Sequence, residues 1–278
     1  MNIRASMLPS YTDCPRRAVA KSFKRRIVKL GYTFRELPPS VGAAAGTAVH
    51  LSTAEMDRAL WRGEKANVDA AVELAITEFS KEIETGCIWD DTTPNMNAAQ
   101  SQIRRMTLIY QPRMPLTLNG EPAVEIGGPL GLRANAGDGW YLTGHPDLID
   151  ADKFIRDKKT GAVVRPYHSQ LGGYSLLVRS NGICEPAGLG MDYIPRTART
   201  KDQKQPILTE YPVAACERAA MGVIKRIKGD MQRFDASVTE DMPMGNLEEF
   251  STNMMSMMCT EKYCPAFGSL FCELSCKK

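Results

Sequence analysis

The stretch "GHPDLIDADKFIRDKKTG", residues 144 to 161, constrains the fold more than any other part of the chain. It reads as two apolar-patterned strands joined by a polar turn at "DADK", 150 to 153. Alternate residues of a strand share a face, so Asp157 and Lys159 point one way while Arg156 and Lys158 point the other. Asp147 lies ten residues before Asp157, on the preceding strand. Pairing the two strands sets these carboxylates side by side. Buried carboxylates repel one another unless a cation lies between them or one is protonated. Oxygen ligands on a compact site suit Mg²⁺ or Mn²⁺, which also accept phosphate oxygens. A lysine alongside can orient a water or meet charge developing on a phosphate. A lone D-x-K is common and by itself fits a solvated hairpin, so the surrounding pattern has to decide.

That pattern alternates helices and strands. Residues 41 to 63 form a Gly/Ala-rich helical stretch containing His50, 67 to 86 an amphipathic helix stopped by Gly86, and 95 to 111 a third helix. "PAVEIGG", "LGLRANA", "GWYLTGHPDLIDA" and "KFIRDKK" then alternate between Gly, Asn and Asp breaks, as strands do. Helical spacing returns over 166 to 182 despite a glycine pair. Residues 186 to 196 are strand-like, and 213 to 234 form a long helix with a basic face. This order predicts an α/β or α+β domain around a mixed sheet. A chain of 278 residues can bury a substantial core as one large domain or two small ones. No internal repeat is visible, and the segment from about 243 onward is irregular and rich in Met and Cys.

No secretory signal opens the sequence, and no apolar run approaches the ~20 residues of a membrane-spanning helix. The expectation is a cytoplasmic protein without a membrane partner. Net charge is only +3, yet Cys14 to Arg35 carries eight Lys or Arg and no acid, and "IKRIK" lies at 224 to 228. Such clusters suit a phosphate backbone, and equally a solvated helix face. No G-x-x-x-x-G-K-[ST] phosphate loop occurs, so any unwinding of DNA falls to a partner.

The full spacing of "GHPDLID" and "IRDKKTG", together with "GTAVH" (46 to 50) and "QLGGY" (170 to 174), resembles the PD-(D/E)XK nuclease superfamily in its RecB-like branch. The resemblance implies a restriction-endonuclease-like fold, a mixed central sheet flanked by helices. It implies Asp147, Asp157 and Lys159 as catalytic residues. His50, Asp147, Asp157 and the Lys158 backbone carbonyl become ligands of Mg²⁺ or Mn²⁺. Gln170 and Tyr174, at i and i+4 on one helix face, are expected to guide a nucleic-acid strand, with Arg16, Arg17, Lys24, Arg25 and Arg26 on its phosphates. The chain departs from the family pattern at Ala54, one turn after His50, where many members carry an acid. Glu55 faces away and is not assigned.

Of eight cysteines, four fall in the last twenty residues and Cys14 stands alone near the start, followed by proline. Clustered cysteines in a reducing compartment point to metal or redox chemistry. One N-terminal and three C-terminal cysteines resemble the [4Fe–4S] staple of AddB-type nucleases and of the CRISPR-associated adaptation exonuclease, which joins the two chain ends. The ligands expected on that likeness are Cys14, Cys259, Cys264 and Cys272, with Cys276 as the alternate. Four thiolates also suit Zn²⁺, the competing occupant. Cys87, Cys184 and Cys216 are expected in the core or incidental, and the Met-rich run 253 to 259 as packing near the cluster.

The domain expectation is a single nuclease domain over 1 to 278. A core of 36 to 240 carries an iron–sulfur region built from 1 to 35 with 241 to 278. The functional expectation is a metal-dependent DNA exonuclease on single strands or DNA ends, in recombination, repair or phage DNA processing. Its size suits a stand-alone enzyme of the kind phages and mobile elements carry. The alternative is a non-catalytic DNA-end-binding subunit, serving a helicase, recombinase or integrase in a recombination or CRISPR-adaptation complex.

Overall fold

In the computed structural model, which describes residues 1–272 apart from 199, the hairpin of residues 144 to 161 sits where two sheets meet. Strand β1 (Asn2–Arg4) opens the chain and is followed by three short helices, α1 (Leu8–Asp13), α2 (Pro15–Ser22) and α3 (Lys24–Val28). Pro15 at the first turn of α2 costs nothing, because the N–H it lacks has no intrahelical partner there. Three longer helices come next: α4 (Val41–Trp61), α5 (Val68–Glu82) and α6 (Met96–Ile109). Each starts on a side-chain cap, with Ser40, Asn67 and Asn95 accepting from the backbone N–H three residues on.

The small hairpin β2 (Thr117–Leu118) and β3 (Glu121–Pro122) leads into β4 (Leu132–Gly137) and β5 (Trp140–Gly144), which form a three-stranded sheet in the order β1-β5-β4. The sheet behind the site has the order β6-β7-β8-β9, from β6 (Leu148–Ile149), β7 (Phe154–Gly161), β8 (Gly188–Pro195) and β9 (Ile207–Tyr211). β7 and β8 run parallel, connected through α7 (His168–Ser180), and α8 (Val213–Ser237) packs on α7. The sheet is mixed, as expected, but it is not one continuous sheet. "GWYLTGHPDLIDA" reads as one strand and is two, because the chain leaves β5 at Gly144, turns through His145 and Pro146, and joins the second sheet at Leu148. Strands β1 and β9 and the helices α1 to α3 lie outside the elements expected from periodicity.

Two glycines show how closely the layers approach. A Cβ at Gly46 would stand 2.9 Å from Thr160 Oγ1, so this glycine of "GTAVH" lets α4 lie down on β7. A Cβ at Gly172 would run into the Cys216 carbonyl, so the glycine pair inside α7 is the seam with α8. The larger core joins both ends of the chain, with Ile3, Leu8 and Phe23 in one cluster with Phe234, Phe250 and Phe271. A second core lies between α4, α5 and α6 around Val49, Phe79 and Ile103. Among the described residues no helix is long and apolar enough to cross a membrane.

Candidate active site

The register of β6 on β7 pairs Leu148 with Arg156 and Ile149 with Ile155, and one more step places Asp147 opposite Asp157. β6 has ended there, and Asp147 takes over the strand edge by accepting the Lys158 backbone N–H on Oδ2 at 2.7 Å. The turn before β7 is held by Asp150, whose Oδ1 accepts from the N–H groups of Asp152 and Phe154. Lys153 in that turn takes φ +63°, a left-handed conformation.

The odd-numbered residues of β7 face α7. Gln170 donates through Nε2 to Asp157 Oδ1 at 3.2 Å and to the Tyr174 hydroxyl at 2.9 Å. Lys159 Nζ stands 2.8 Å from Asp157 Oδ2. From the other side α4 delivers His50, its Nδ1 3.5 Å from Asp147 Oδ2. His50, Asp147, Asp157 and Lys159 therefore meet at one end of the sheet. Asp157 is buried at the bottom, while the other three are partly open to solvent.

The even-numbered residues face α4 and build a second polar layer. Lys158 is buried and ion-paired with Asp57 at 2.6 Å, and Asp57 also accepts from the Tyr110 hydroxyl and the Arg113 N–H at 2.9 Å. Arg156 bridges Asp150 at 2.7 Å and Asp192 at 3.2 Å, and Arg113 Nε reaches Asp192 at 2.9 Å. This layer ties α4, α6, β7 and β8 together directly behind the acidic face of β7. Buried pairs of this kind add little net stability, but they penalise any arrangement that leaves one charge alone.

Electrostatics separate the members of the site. Burial drives the Asp157 carboxyl up to about 6, with Lys159 opposing and the neighbouring Asp147 adding to the rise. Asp147 is also raised, by burial against the pull of Lys159 and Lys158. Burial and then Lys159 push His50 down to about 4, so its imidazole is neutral and able to act as a ligand at neutral pH. Burial alone would lower the Lys159 ammonium, but Asp157 and Asp147 outweigh it and the group is raised. Two carboxylates held above their ordinary range beside a neutral imidazole form a set that a hard divalent cation stabilises. Among the described residues no three His, Cys, Asp or Glu side chains are spaced to enclose an ion. The acidic oxygens are instead engaged by the Lys158 N–H and the Lys159 ammonium.

Other expected residues lie differently. Gln170 and Tyr174 are buried beneath the acids instead of projecting toward a strand, because Asp157 needs a donor. Arg16 is buried and donates to the Leu247 and Phe250 carbonyls, and Arg17 is buried against Asp13, so both serve the junction of the chain ends. Lys24, half-buried, and Arg26, exposed, are paired with Glu36 and Asp235, while Arg25 has no ion pair among the described residues. In "IKRIK" Lys228 is held by the Ala136 carbonyl and Asp138, and Arg226 by Ser251 and Asp230. Cys14, Cys259, Cys264 and Cys272 line one small cavity, with Arg17 and Met254 in its wall. Cys276 lies outside the described residues. Burial first, then Cys272 and Cys14 nearby, raise the Cys264 thiol. Met255 and Met257 of the Met-rich run point into solvent instead of packing on that cavity. Cys216 is buried, and Cys87 and Cys184 are half-buried.

Three residues that the sequence pattern did not single out bear on the site. Asp57, two helical turns after His50, anchors Lys158. Asp192 interrupts an otherwise apolar, wholly buried strand, and that interruption was the available signal. Glu125 sits on a left-handed backbone at φ +50°, donates its N–H to the Asp147 carbonyl at 3.0 Å, and acts electrostatically on His50 and Asp147. Its signal was an acid inside "PAVEIGG".

The family model of the PD-(D/E)XK nuclease superfamily matches residues 3–266. With that match covering nearly the whole chain, the protein belongs to the PD-(D/E)XK nuclease superfamily. Membership points to a metal-dependent nuclease with DNA as its substrate. No curated protein matches the chain.

Proposed function

We propose that the protein is an Mg²⁺- or Mn²⁺-dependent deoxyribonuclease, an exonuclease acting on single-stranded DNA or DNA ends, of the RecB-like, iron–sulfur branch. One observation carries the catalytic part: two raised, adjoining carboxylates at a strand end, with an ammonium at 2.8 Å from one and a neutral imidazole at 3.5 Å from the other. His50, Asp147, Asp157 and the Lys158 carbonyl would hold the divalent ion. When bound, the ion supplies Lewis acidity toward the scissile phosphate. The residues of the chain do the rest. Asp157 is kept in place by Gln170, and Asp147 by the Lys158 N–H. Lys159, released from Asp157 as positive charge arrives, can turn its ammonium to the attacking water and to the phosphate oxygens, where charge builds in the transition state.

The cysteines support a structural role at the junction of the ends. Their cavity lies where Asp13 accepts from Asn253 and Ser256, and where Arg16 reaches back to Leu247 and Phe250. Four cysteines lining one small cavity supply the donor set that a [4Fe–4S] cluster takes. Within this proposal the chain is one nuclease domain, with 36–240 as the core and 1–35 plus 241–278 as the cluster region. The test is digestion of end-labelled single- and double-stranded DNA in Mg²⁺ or Mn²⁺ by wild type and Asp157→Ala. Stepwise loss of terminal nucleotides by wild type alone is expected. Binding without cleavage in either ion would leave a DNA-end-binding subunit in its place. An iron–sulfur protein is brown and bleaches on oxidation, whereas a zinc protein is colourless.

A further inference from the structure

A groove of about 1230 Å³ reaches the turn that leads into Asp147, and its volume is beyond the ~300–1,000 Å³ of a small-molecule cleft. It begins at Tyr174, Gly144 and His145, next to Asp147, and runs along β1, α2 and α3 to Met258 and Arg17 at the cysteine cavity. Its described lining holds seven Lys or Arg and no Asp or Glu. Three of the seven are committed, Arg17 to Asp13, Lys24 to Glu36 and Arg26 to Asp235. The other four, Arg4, Lys21, Arg25 and Arg165, are exposed and have no ion pair or side-chain hydrogen bond among the described residues. They come from three separate places in the chain, Arg4, the run holding Lys21 and Arg25, and Arg165, which the fold brings together. Like charges gathered on one wall are costly unless an anion joins them.

The groove is not only cationic. Leu130, 88% exposed on the turn that follows Gly127 and Gly128, stands at its rim. Phe23, Met7 and Tyr174 lie in its wall but are themselves buried, so Leu130 is the most exposed large apolar side chain beside the cations. A duplex presents phosphates outward and keeps its bases stacked inside, and has little use for such surface. A single strand offers both phosphates and unpaired base faces, and is bound by basic grooves that also provide apolar or aromatic contacts.

We infer that this groove is a binding track for single-stranded DNA, with Arg4, Lys21, Arg25 and Arg165 on its phosphates and Leu130 against an unpaired base. The inference rests on the nuclease proposal for its direction, since the track feeds the acids, but not for its test. Binding of a fluorescent 20-mer, single- or double-stranded, is measured in Ca²⁺ across a salt series, for wild type and for the triple variant Arg4→Ser, Arg25→Ser, Arg165→Ser. Wild type binds the single strand more tightly than the duplex. The triple variant loses at least about tenfold in affinity, and its salt slope falls by about 2, as the loss of three single-strand phosphate contacts requires. Leu130→Ser weakens single-strand binding and leaves that slope unchanged. Phosphodiester cleavage is scored separately, as hydrolysis of thymidine 5′-p-nitrophenyl phosphate by the wild type. A triple variant with wild-type affinity and slope, or a wild type that prefers duplex or binds neither, overturns the track. A wild type that hydrolyses no phosphodiester overturns the nuclease proposal and leaves the binding result to decide the track.

Discussion

The acidic site and the cysteine cavity are the two places where reactive side chains gather, and they are built in opposite ways. Asp147, Asp157 and Lys159 are set by strand register, so the residue spacing of one hairpin fixes their geometry. The cysteines are set by irregular backbone from the two ends of the chain, held by Arg16, Asn253, Ser256 and the edge-to-face packing of Phe34 and Tyr32 on Phe271. One site depends on short-range pairing backed by a buried polar layer, the other on contacts between residues more than two hundred positions apart. Damage to the first should remove chemistry and spare the fold, and damage to the second should do the reverse.

The largest expected effect is on cleavage. Asp157→Asn removes one of two carboxylates from a cation site, and a loss of at least about 100-fold in nuclease rate is predicted, with circular dichroism and melting temperature close to wild type. A variant that unfolds instead would show the acids to be structural and erase the contrast. Next comes the layer behind the site. Asp57→Asn leaves Lys158 buried without a counter-charge, at a cost of about 3–5 kcal/mol in denaturant unfolding. Exposed pairs such as Arg62 with Glu64 serve as the control, and their removal should leave the unfolding curve close to wild type.

At the cysteine cavity, Cys264→Ala is predicted to lower the melting temperature and speed proteolysis of both chain ends. Residual activity per folded molecule against a dinucleotide substrate should be unchanged. A variant melting like wild type would make the cavity incidental.

A smaller effect concerns pH. With no cation bound, Asp157 titrates near 6 in the fold, above its ordinary value, so its burial destabilises the protein progressively as pH rises from about 4 to 6. His50, lowered to about 4, works the other way, since the unfolded chain binds the extra proton and stability rises between about 4 and 6.5. The two slopes oppose each other over one window. Added Mn²⁺ must displace the acid proton, so the rise in melting temperature it causes is predicted to be larger at pH 8 than at pH 5.5. Equal rises would place the binding elsewhere. The smallest effect is at the start of α4, where Ser40→Ala removes the cap on Ala43 and should cost about 1 kcal/mol without touching cleavage.

The contrast between the sites also explains what could be read from sequence. Alternation along 154 to 161 put Asp157 and Lys159 on one face and Lys158 on the other, and β7 has that arrangement because period two is a property of the strand itself. The helices over 41 to 63, 67 to 86 and 95 to 111 were legible for the same local reason. The fate of the arginines was not. Arg16 and Arg25 stand in one basic run, yet one is buried against carbonyls more than two hundred residues away and the other is exposed and has no ion pair among the described residues. Composition cannot tell them apart, since the difference is made by chain ends meeting. Asp57 and Asp192 were hidden likewise, because a buried acid is recognisable only once its partner, Lys158 or Arg156, is opposite it. The split of the central sheet at His145 and Pro146 escaped a pattern that continues smoothly through 140 to 151.

The most direct measurement is the rate at which purified protein releases nucleotides from a labelled DNA strand as Mn²⁺ is titrated, compared with Asp157→Asn under the same conditions. Saturable, cation-dependent release by wild type and its loss in the folded variant is the expected result. Release that ignores the cation, or persists when the buried acid is gone, would contradict the account.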